Sequence, residues 1–252
     1  MMKKLFTTAL FVSTLSTAAM AAEDTTLAQY GFTVSGNVAL TSDYRWRGQS
    51  QTQNDPAIQG TVTLAHSSGL YFSAFASNVD FGGDSAHLEL DPTIGFATPI
   101  TLGSIKPTLD FGVVYYNYPS NSDINYPEYY AKLIFADSIV KGDVLTPSVA
   151  YTNKYGGDSD VSNWNFNLAY SLPFADTGFG GVASLGYSKA DKSIYGNDDN
   201  FFDWKAGVTY NFKSVAGLTA ELDAVGTNMD GYTGVLDRSV DTGAVFSLTK
   251  TF

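Results

Sequence analysis

From residue 32 onward, apolar and polar residues alternate with period two in twelve stretches, the repeat of a strand whose two faces meet different surroundings. The first, 32–41, sets Phe32, Val34, Val38 and Leu40 against Thr33, Ser35, Asn37 and Thr41. Further stretches lie at 58–64, 87–96, 106–116, 128–135, 145–152, 163–171, 179–187, 202–212 and 218–224. In the clearest, Trp164, Phe166, Leu168 and Tyr170 alternate with Asn163, Asn165, Asn167 and Ser171. A closing strand carries Ala244, Phe246, Leu248 and Phe252 on one parity. Only 70–78 is ambiguous: Leu70, Phe72, Ala74 and Ala76 compete with Tyr71 and Phe75 for the apolar face.

The connections alternate in length. Long polar ones, rich in the turn formers Asp, Asn, Gly and Ser, fall near 48–56, 78–86, 117–127, 153–162, 189–200 and 227–238. Short ones fall near 66–69, 98–104, 137–143, 173–178 and 213–217. Six long and five short connections predict an all-β fold: a single antiparallel transmembrane β-barrel of about 12 strands, with both ends in the periplasm.

A soluble β-sandwich would show the same alternation. Three details favour the barrel. The polar parity carries mostly Thr, Ser, Asn and Gly rather than Lys and Glu. The apolar parity has no mid-strand charge, and Lys250 stands near an end where it can snorkel. Aromatic residues gather at strand ends: Tyr115, Tyr151, Trp164, Phe202 and Trp204 on the loop side, and Phe32, Phe96, Phe135, Tyr170, Phe212 and Phe252 on the turn side. Two such girdles match the two interfaces of a bilayer.

The ends of the chain fit export to that place. Residues 1–21 read as a signal peptide: Lys3 and Lys4, an apolar stretch from Leu5 to Leu15, then Ala19-Met20-Ala21 as a cleavage site. Residues 22–252 would form the barrel, with 22–30 a short flexible lead and Phe252 an assembly signal at the closing strand. No later run reaches the roughly 18 apolar residues of a membrane helix, and lipid tolerates only a closed sheet. Charged residues make up 15% and aromatics 14%, unlike the roughly 25% charge of a soluble domain. The net charge is −11 and, without the two signal lysines, more negative still. That excludes nucleic acid as a partner. There is no cysteine, hence no disulfide or thiolate site.

The most distinctive local sequence is Ser42-Asp43-Tyr44-Arg45-Trp46-Arg47-Gly48-Gln49-Ser50-Gln51-Thr52. It continues the parity of the first strand. If that strand extends, Tyr44 and Trp46 join the outer aromatic belt, Asp43, Arg45 and Arg47 enter the lumen mouth, and Gly48 lets the chain turn. An interfacial anchor, with its arginines bonded to loop carboxylates, is an equally good reading. The run from Asp43 to Ser50, with Pro56-Ala57, Ser77-Asn78-Val79-Asp80 and Glu89-Leu90-Asp91 followed by Gly95, resembles the TorF-type porin family (Gcw_chp). The resemblance covers nearly the whole mature chain and implies an outer-membrane barrel and a pore, without naming a solute. Lys250, three residues from the end, departs from the commoner aromatic there.

The remaining pore-lining candidates sit on the polar parity. Acids are Glu89, Asp91, Asp110, Glu128, Asp203, Glu221, Asp223 and Asp241; bases are Lys106, Lys132 and Lys205. A hairpin at 98–104 would bring Asp91 close to Asp110, and Lys132 and Lys205 would lie diagonal to Asp110 and Asp223. Such pairs either brace the barrel or line a constriction with unequal charge that prefers cations. Tyr116 and Tyr130 also point inward and would narrow the lumen. His66 and His87 are the only histidines, and no G-x-S-x-G accompanies them, so an enzyme is not expected. No P-loop, dinucleotide fingerprint or metal-ligand spacing is present, so no cofactor or metal is expected. Three functions stay open: a passive channel for small hydrophilic solutes, a structural or adhesive barrel with a filled lumen, and, remotely, a barrel hydrolase. The partners expected are outer-membrane lipids and lipopolysaccharide, the barrel-assembly machinery and small hydrophilic solutes.

Overall fold

A computed structural model describes residues 25–82 and 86–252. The signal peptide expected at 1–21 lies outside the described residues. Within the expected lead, Thr25–Ala28 forms one helical turn, α1. Twelve strands then close a single barrel: β1 (Phe32–Thr41), β4 (Ala57–His66), β5 (Leu70–Asn78), β6 (Leu88–Pro99), β7 (Thr108–Tyr116), β8 (Tyr126–Ala136), β9 (Val144–Thr152), β10 (Asn163–Pro173), β11 (Phe179–Ala190), β12 (Asn200–Asn211), β13 (Leu218–Thr227) and β14 (Gly243–Thr251). Every neighbouring pair is antiparallel, and β1 pairs with both β4 and β14, so no edge is left unpaired. Two further strands, β2 (Arg45–Trp46) and β3 (Gln49–Ser50), form a small separate hairpin in the first long connection. A short helix, α2 (Val235–Val240), lies in the last one.

The outer face is the apolar one. Val38, Leu40, Ile58, Ile94, Leu168 and Leu185 are each about half exposed, whereas Thr41, Thr63, Thr93, Asn165 and Ser171 on the polar parity are buried. A closed sheet that exposes its apolar residues and encloses its polar ones is built for hydrocarbon outside, so this is a transmembrane barrel. Trp164 and Trp204 stand on the outward parity near the long-loop end, with Trp164 packed on Tyr151 at 4.5 Å. At the short-turn end, Tyr210 meets Phe179 and Phe212. The ambiguity of β5 is settled. Leu70 and Phe72 face outward, while Tyr71, Ser73 and Ser77 are buried inside.

Phe252 lies just beyond β14 at the closing seam. Its backbone N–H donates to the Gly36 carbonyl at 3.0 Å, and its carbonyl accepts from the Gly36 N–H at 3.0 Å. A Cβ on Gly36 would stand 3.0 Å from its ring and 2.5 Å from the Thr61 carbonyl oxygen.

Two expectations fail on register. The hairpin joining β6 and β7 turns at Leu102–Ile105, later than the sequence suggested. Asp110 therefore faces Ala97, and Asp91 lies well up the strand from it rather than beside it. For the same reason Lys106 sits exposed in the turn, not on a lumen strand. Asp241 is also outside the strands: α2 delays the start of β14 to Gly243 and leaves Asp241 exposed at the helix end.

Candidate functional site

The lumen holds two zones of polar chemistry. Toward the short-turn end, Asp110 of β7 is fully buried. It faces Lys132 of β8 directly in the register, with Nζ to Oδ2 at 3.2 Å, rather than diagonally. The Tyr71 hydroxyl donates to Asp110 Oδ1 at 2.8 Å and also meets the Tyr130 hydroxyl. Further round, Lys205 of β12 reaches Glu221 at 2.7 Å and Asp223 at 3.7 Å, both on β13. Asp223 is diagonal to Lys205, as the pattern suggested. Each lysine thus bridges adjacent strands on the inner wall, and a charge held there needs that partner.

Toward the long-loop end, the first connection does not extend β1. It folds back into the barrel. Arg47 and Gly48 form the two-residue tip of the β2–β3 hairpin, both with positive φ (50° and 76°), the backbone a tight hairpin of this kind demands. Gly48 also comes close against β12 and β13: a Cβ there would lie 2.5 Å from Thr227 Cγ2 and 3.2 Å from Asp203 Cβ. Asp43 organises the base of the hairpin. Its carboxylate takes the Arg45 Nε–H, the Ser50 hydroxyl at 2.6 Å and the Thr52 hydroxyl at 3.2 Å. Arg45 then donates Nη1 to the carbonyls of Gly48, Ser239 and Asp241 at 3.0–3.1 Å, tying the hairpin to the end of α2.

Arg47 crosses to Glu128 on β8, donating Nη2 to both carboxylate oxygens, Oε2 at 2.9 Å. Its guanidinium lies over the Trp46 ring, 4.1 Å from the centroid. Both arginines thus reach the mouth, but through an inward hairpin rather than a longer strand. Tyr44 and Trp46 go with them. Tyr44 is buried against Phe75, and Trp46 packs on Tyr116 and Tyr155. This corrects the expectation of an outer-belt position for these two. Their ring area is covered by lumen aromatics instead of lipid, because the hairpin brings its own partners into reach.

Glu89 and Asp91 of β6 complete this zone. The Tyr118 hydroxyl donates to Glu89 Oε1 at 2.9 Å, and the Asn117 N–H donates to Asp91 Oδ1 at 3.1 Å. Asp203 of β12 is buried under the hairpin tip. The aromatic lining of Tyr118, Tyr126, Tyr155 and Tyr195 escaped the sequence pattern, except that Tyr116 and Tyr130 already carried inward parity. Tyr118, Tyr155 and Tyr195 stand in loops, where no period applies. The two histidines lie at opposite ends: His66 bonds Ser68 at a short turn, and His87 precedes β6 at the long-loop rim.

Solved structures share this architecture. The NanC porin superposes with a TM-score of 0.54 at 11% identity, over 87% of this chain and 98% of that one. Pseudomonas aeruginosa OccK5 (OpdH) gives 0.48 at 12% identity, over 88% and 67%. Pseudomonas aeruginosa OprD gives 0.44 at 11% identity, over 88% and 66%. At 11% identity the likeness to the NanC porin is one of fold alone. No curated protein matches the sequence. Residues 25–252 match the family described as "Bacterial protein of unknown function (Gcw_chp)", and the chain belongs to that family.

Proposed function

We propose that the protein is a porin-like channel of the bacterial outer membrane, for passive passage of small hydrophilic solutes or ions with a weak preference for cations. The observation that carries the reading is the lumen itself. It encloses Glu89, Asp91, Asp110, Glu128, Asp203, Glu221 and Asp223 against Lys132, Lys205, Arg45 and Arg47, more acid than the strand-bracing pairs use. Field lines concentrate in a low-dielectric pore, so the acidic excess attracts cations. The likeness of this closed barrel to the NanC porin supports the same reading at the level of fold. The TorF-type porin identity goes further than the family's own description and is part of this proposal, as are export by the signal peptide, assembly-machinery contacts and lipopolysaccharide contacts.

A second reading has its own observation. The β2–β3 hairpin and the tyrosines around it fill the outer half of the lumen, as in a structural barrel that conducts nothing. A hydrolase is disfavoured by the separation of His66 and His87 to opposite ends of the barrel. Single-channel recording of refolded protein in a planar bilayer, with reversal potentials across a salt gradient, tests the proposal. The expected result is small cation-preferring steps. Anion selectivity overturns the lumen reading, and absence of conductance moves the assignment to the structural barrel.

A further inference from the structure

At the long-loop mouth lies a half-enclosed cavity of about 200 Å³, room for on the order of six waters at ~30 Å³ each. Six aromatic side chains wall it: Trp46, Phe81, Tyr116, Tyr118, Tyr126 and Tyr155. Glu89 also lines it. That side chain is 2% exposed, and while Oε1 accepts from Tyr118, Oε2 has no hydrogen-bond partner among the described residues. Tyr44 and Asp91 are its other polar neighbours. Among the described residues neither Glu89 nor Asp91 makes an ion pair. Of the two hairpin cations, Arg47 is already engaged by Glu128 and Arg45 by Asp43.

A buried carboxylate with one free oxygen, beside a second acid and without a base, calls for a positive partner. Aromatic faces around it supply the other half of a cation site, since their negative quadrupoles attract a poorly hydrated positive group. The protein already uses one of these rings in that way, with Arg47 above Trp46. We propose that this cavity is an entry subsite for a small organic cation carrying an alkylated ammonium group. The charge would lie toward the Glu89 carboxyl group, and the alkyl groups would lie against Trp46, Tyr116, Tyr126 and Tyr155. A neutral sugar would also stack on rings, but it leaves the carboxylate charge unmatched. A metal ion would waste the aromatic wall, and among the described residues no group of three or more acids and histidines gathers there, where hard cations take six or more oxygens. The inference rests on the channel reading for the cation's onward route, and not for its binding.

Binding is therefore measured apart from conduction. Full-length protein in detergent micelles is titrated with choline while tryptophan fluorescence is followed, because Trp46 lines the cavity. The control ligand is 3,3-dimethylbutan-1-ol, the uncharged isostere of choline. Choline should saturate the signal and bind at least about tenfold tighter than the isostere. Glu89→Gln, which keeps the volume, should remove most of that difference. Tyr155→Leu, placed in a loop outside the barrel wall, should weaken choline about tenfold and serves if the strand variant fails to fold. Equal affinity for choline and the isostere overturns the proposal, as does saturable binding of glucose with none of choline. Unchanged choline affinity in both variants overturns it as well. Choline binding to a protein that conducts nothing sinks the channel reading and leaves the subsite standing. Conduction without any choline response does the reverse.

Discussion

The contact between Arg47 and Glu128 should act as the latch that holds the β2–β3 hairpin across the lumen. The two side chains are 11% and 3% exposed, so water does little to replace either partner. Arg47 gives its Nη2 to both oxygens of Glu128, and Tyr116 lies at the edge of the same carboxylate at 3.5 Å. Removing one member of a buried pair costs about 3–5 kcal/mol, chiefly because the other is left charged and unmatched. For Arg47→Gln that penalty falls on the docked hairpin alone, since an undocked tip lets water reach Glu128. The balance between docked and undocked tip should then shift by roughly 10²- to 10⁴-fold. The base of the hairpin stays fixed, because Arg45 remains tied to Asp43 and to the carbonyls of Ser239 and Asp241. Single-channel recordings of the wild type, Arg47→Gln and Arg47→Gln/Glu128→Gln separate sterics from charge. The single variant should show longer open dwells, larger steps and a gain in cation preference from the freed Glu128, whereas the double variant, in which no charge is left unmatched, should return most of the way to wild-type dwells and selectivity. Identical dwell times, step size and reversal potential in all three would refute the latch.

Other consequences follow from the same placement of residues. Leu168, 49% exposed at the middle of β10, faces hydrocarbon, so Leu168→Arg should lower stability by about 2–4 kcal/mol in a lipid refolding titration; Asn167→Arg, turned inward, should cost much less, and equal losses would invert the inside–outside assignment. Asp143 stands in the short turn before β9, where burial opposes its charge but the Val140 N–H, the Tyr170 hydroxyl and the Ile139 and Ser138 N–H groups hold its carboxyl down at about 2. Its stabilisation is present above the ordinary carboxylate value of about 4 and disappears as pH falls through about 2; Asp143→Asn should lower the denaturant midpoint at neutral pH and flatten its fall in that acid window, and an unchanged pH profile would remove this turn from the acid response. Deleting Phe252 takes away two backbone hydrogen bonds at the β1–β14 seam and the ring over Gly36, so membrane-inserted protein in cells should drop while export continues; normal insertion would assign the residue no part in assembly.

The strands were legible because each one separates two solvents. Hydrocarbon outside and a polar interior impose opposite chemistries on alternate residues, and β10 shows it plainly: Trp164, Phe166 and Leu168 against Asn163 and Asn165. The sign of each face is readable wherever the inner side chains are polar. What was not legible has two physical sources. Turn position decides register, and the period of two carries no mark of where a hairpin bends. A bend centred at Leu102–Ile105 instead of a few residues earlier was enough to part Asp91 from Asp110. The inward fold of residues 42–55 is set by tertiary contacts, Arg47 to Glu128 and Arg45 to the end of α2, which lie far apart in the chain.

Aromatic residues are the hardest to place by pattern, since a ring is as well covered by lumen neighbours as by lipid. Tyr71 and Phe75 made β5 ambiguous for this reason. One signal could have settled it. Tyr71 of β5 faces Gly95 of β6, Gly95 faces Gly112 of β7, and Gly112 faces Tyr130 of β8. A Cβ on Gly95 would stand 2.4 Å from the Tyr71 ring, and one on Gly112 would stand 2.8 Å from the Tyr130 hydroxyl. Two glycines on the polar parity of adjacent strands, flanked by tyrosines, leave a floor on which both rings can lie flat against the inner wall. The hydroxyls then meet above it, where Asp110 accepts from Tyr71. Asp110 offers the phenol a buried acceptor on the lumen side, so the glycines and the acid together turn Tyr71 inward. The same rings that obscure the strand's parity therefore lie inside the lumen at the level of the Asp110–Lys132 pair, where on the proposed channel reading they would form a second constriction beyond the hairpin.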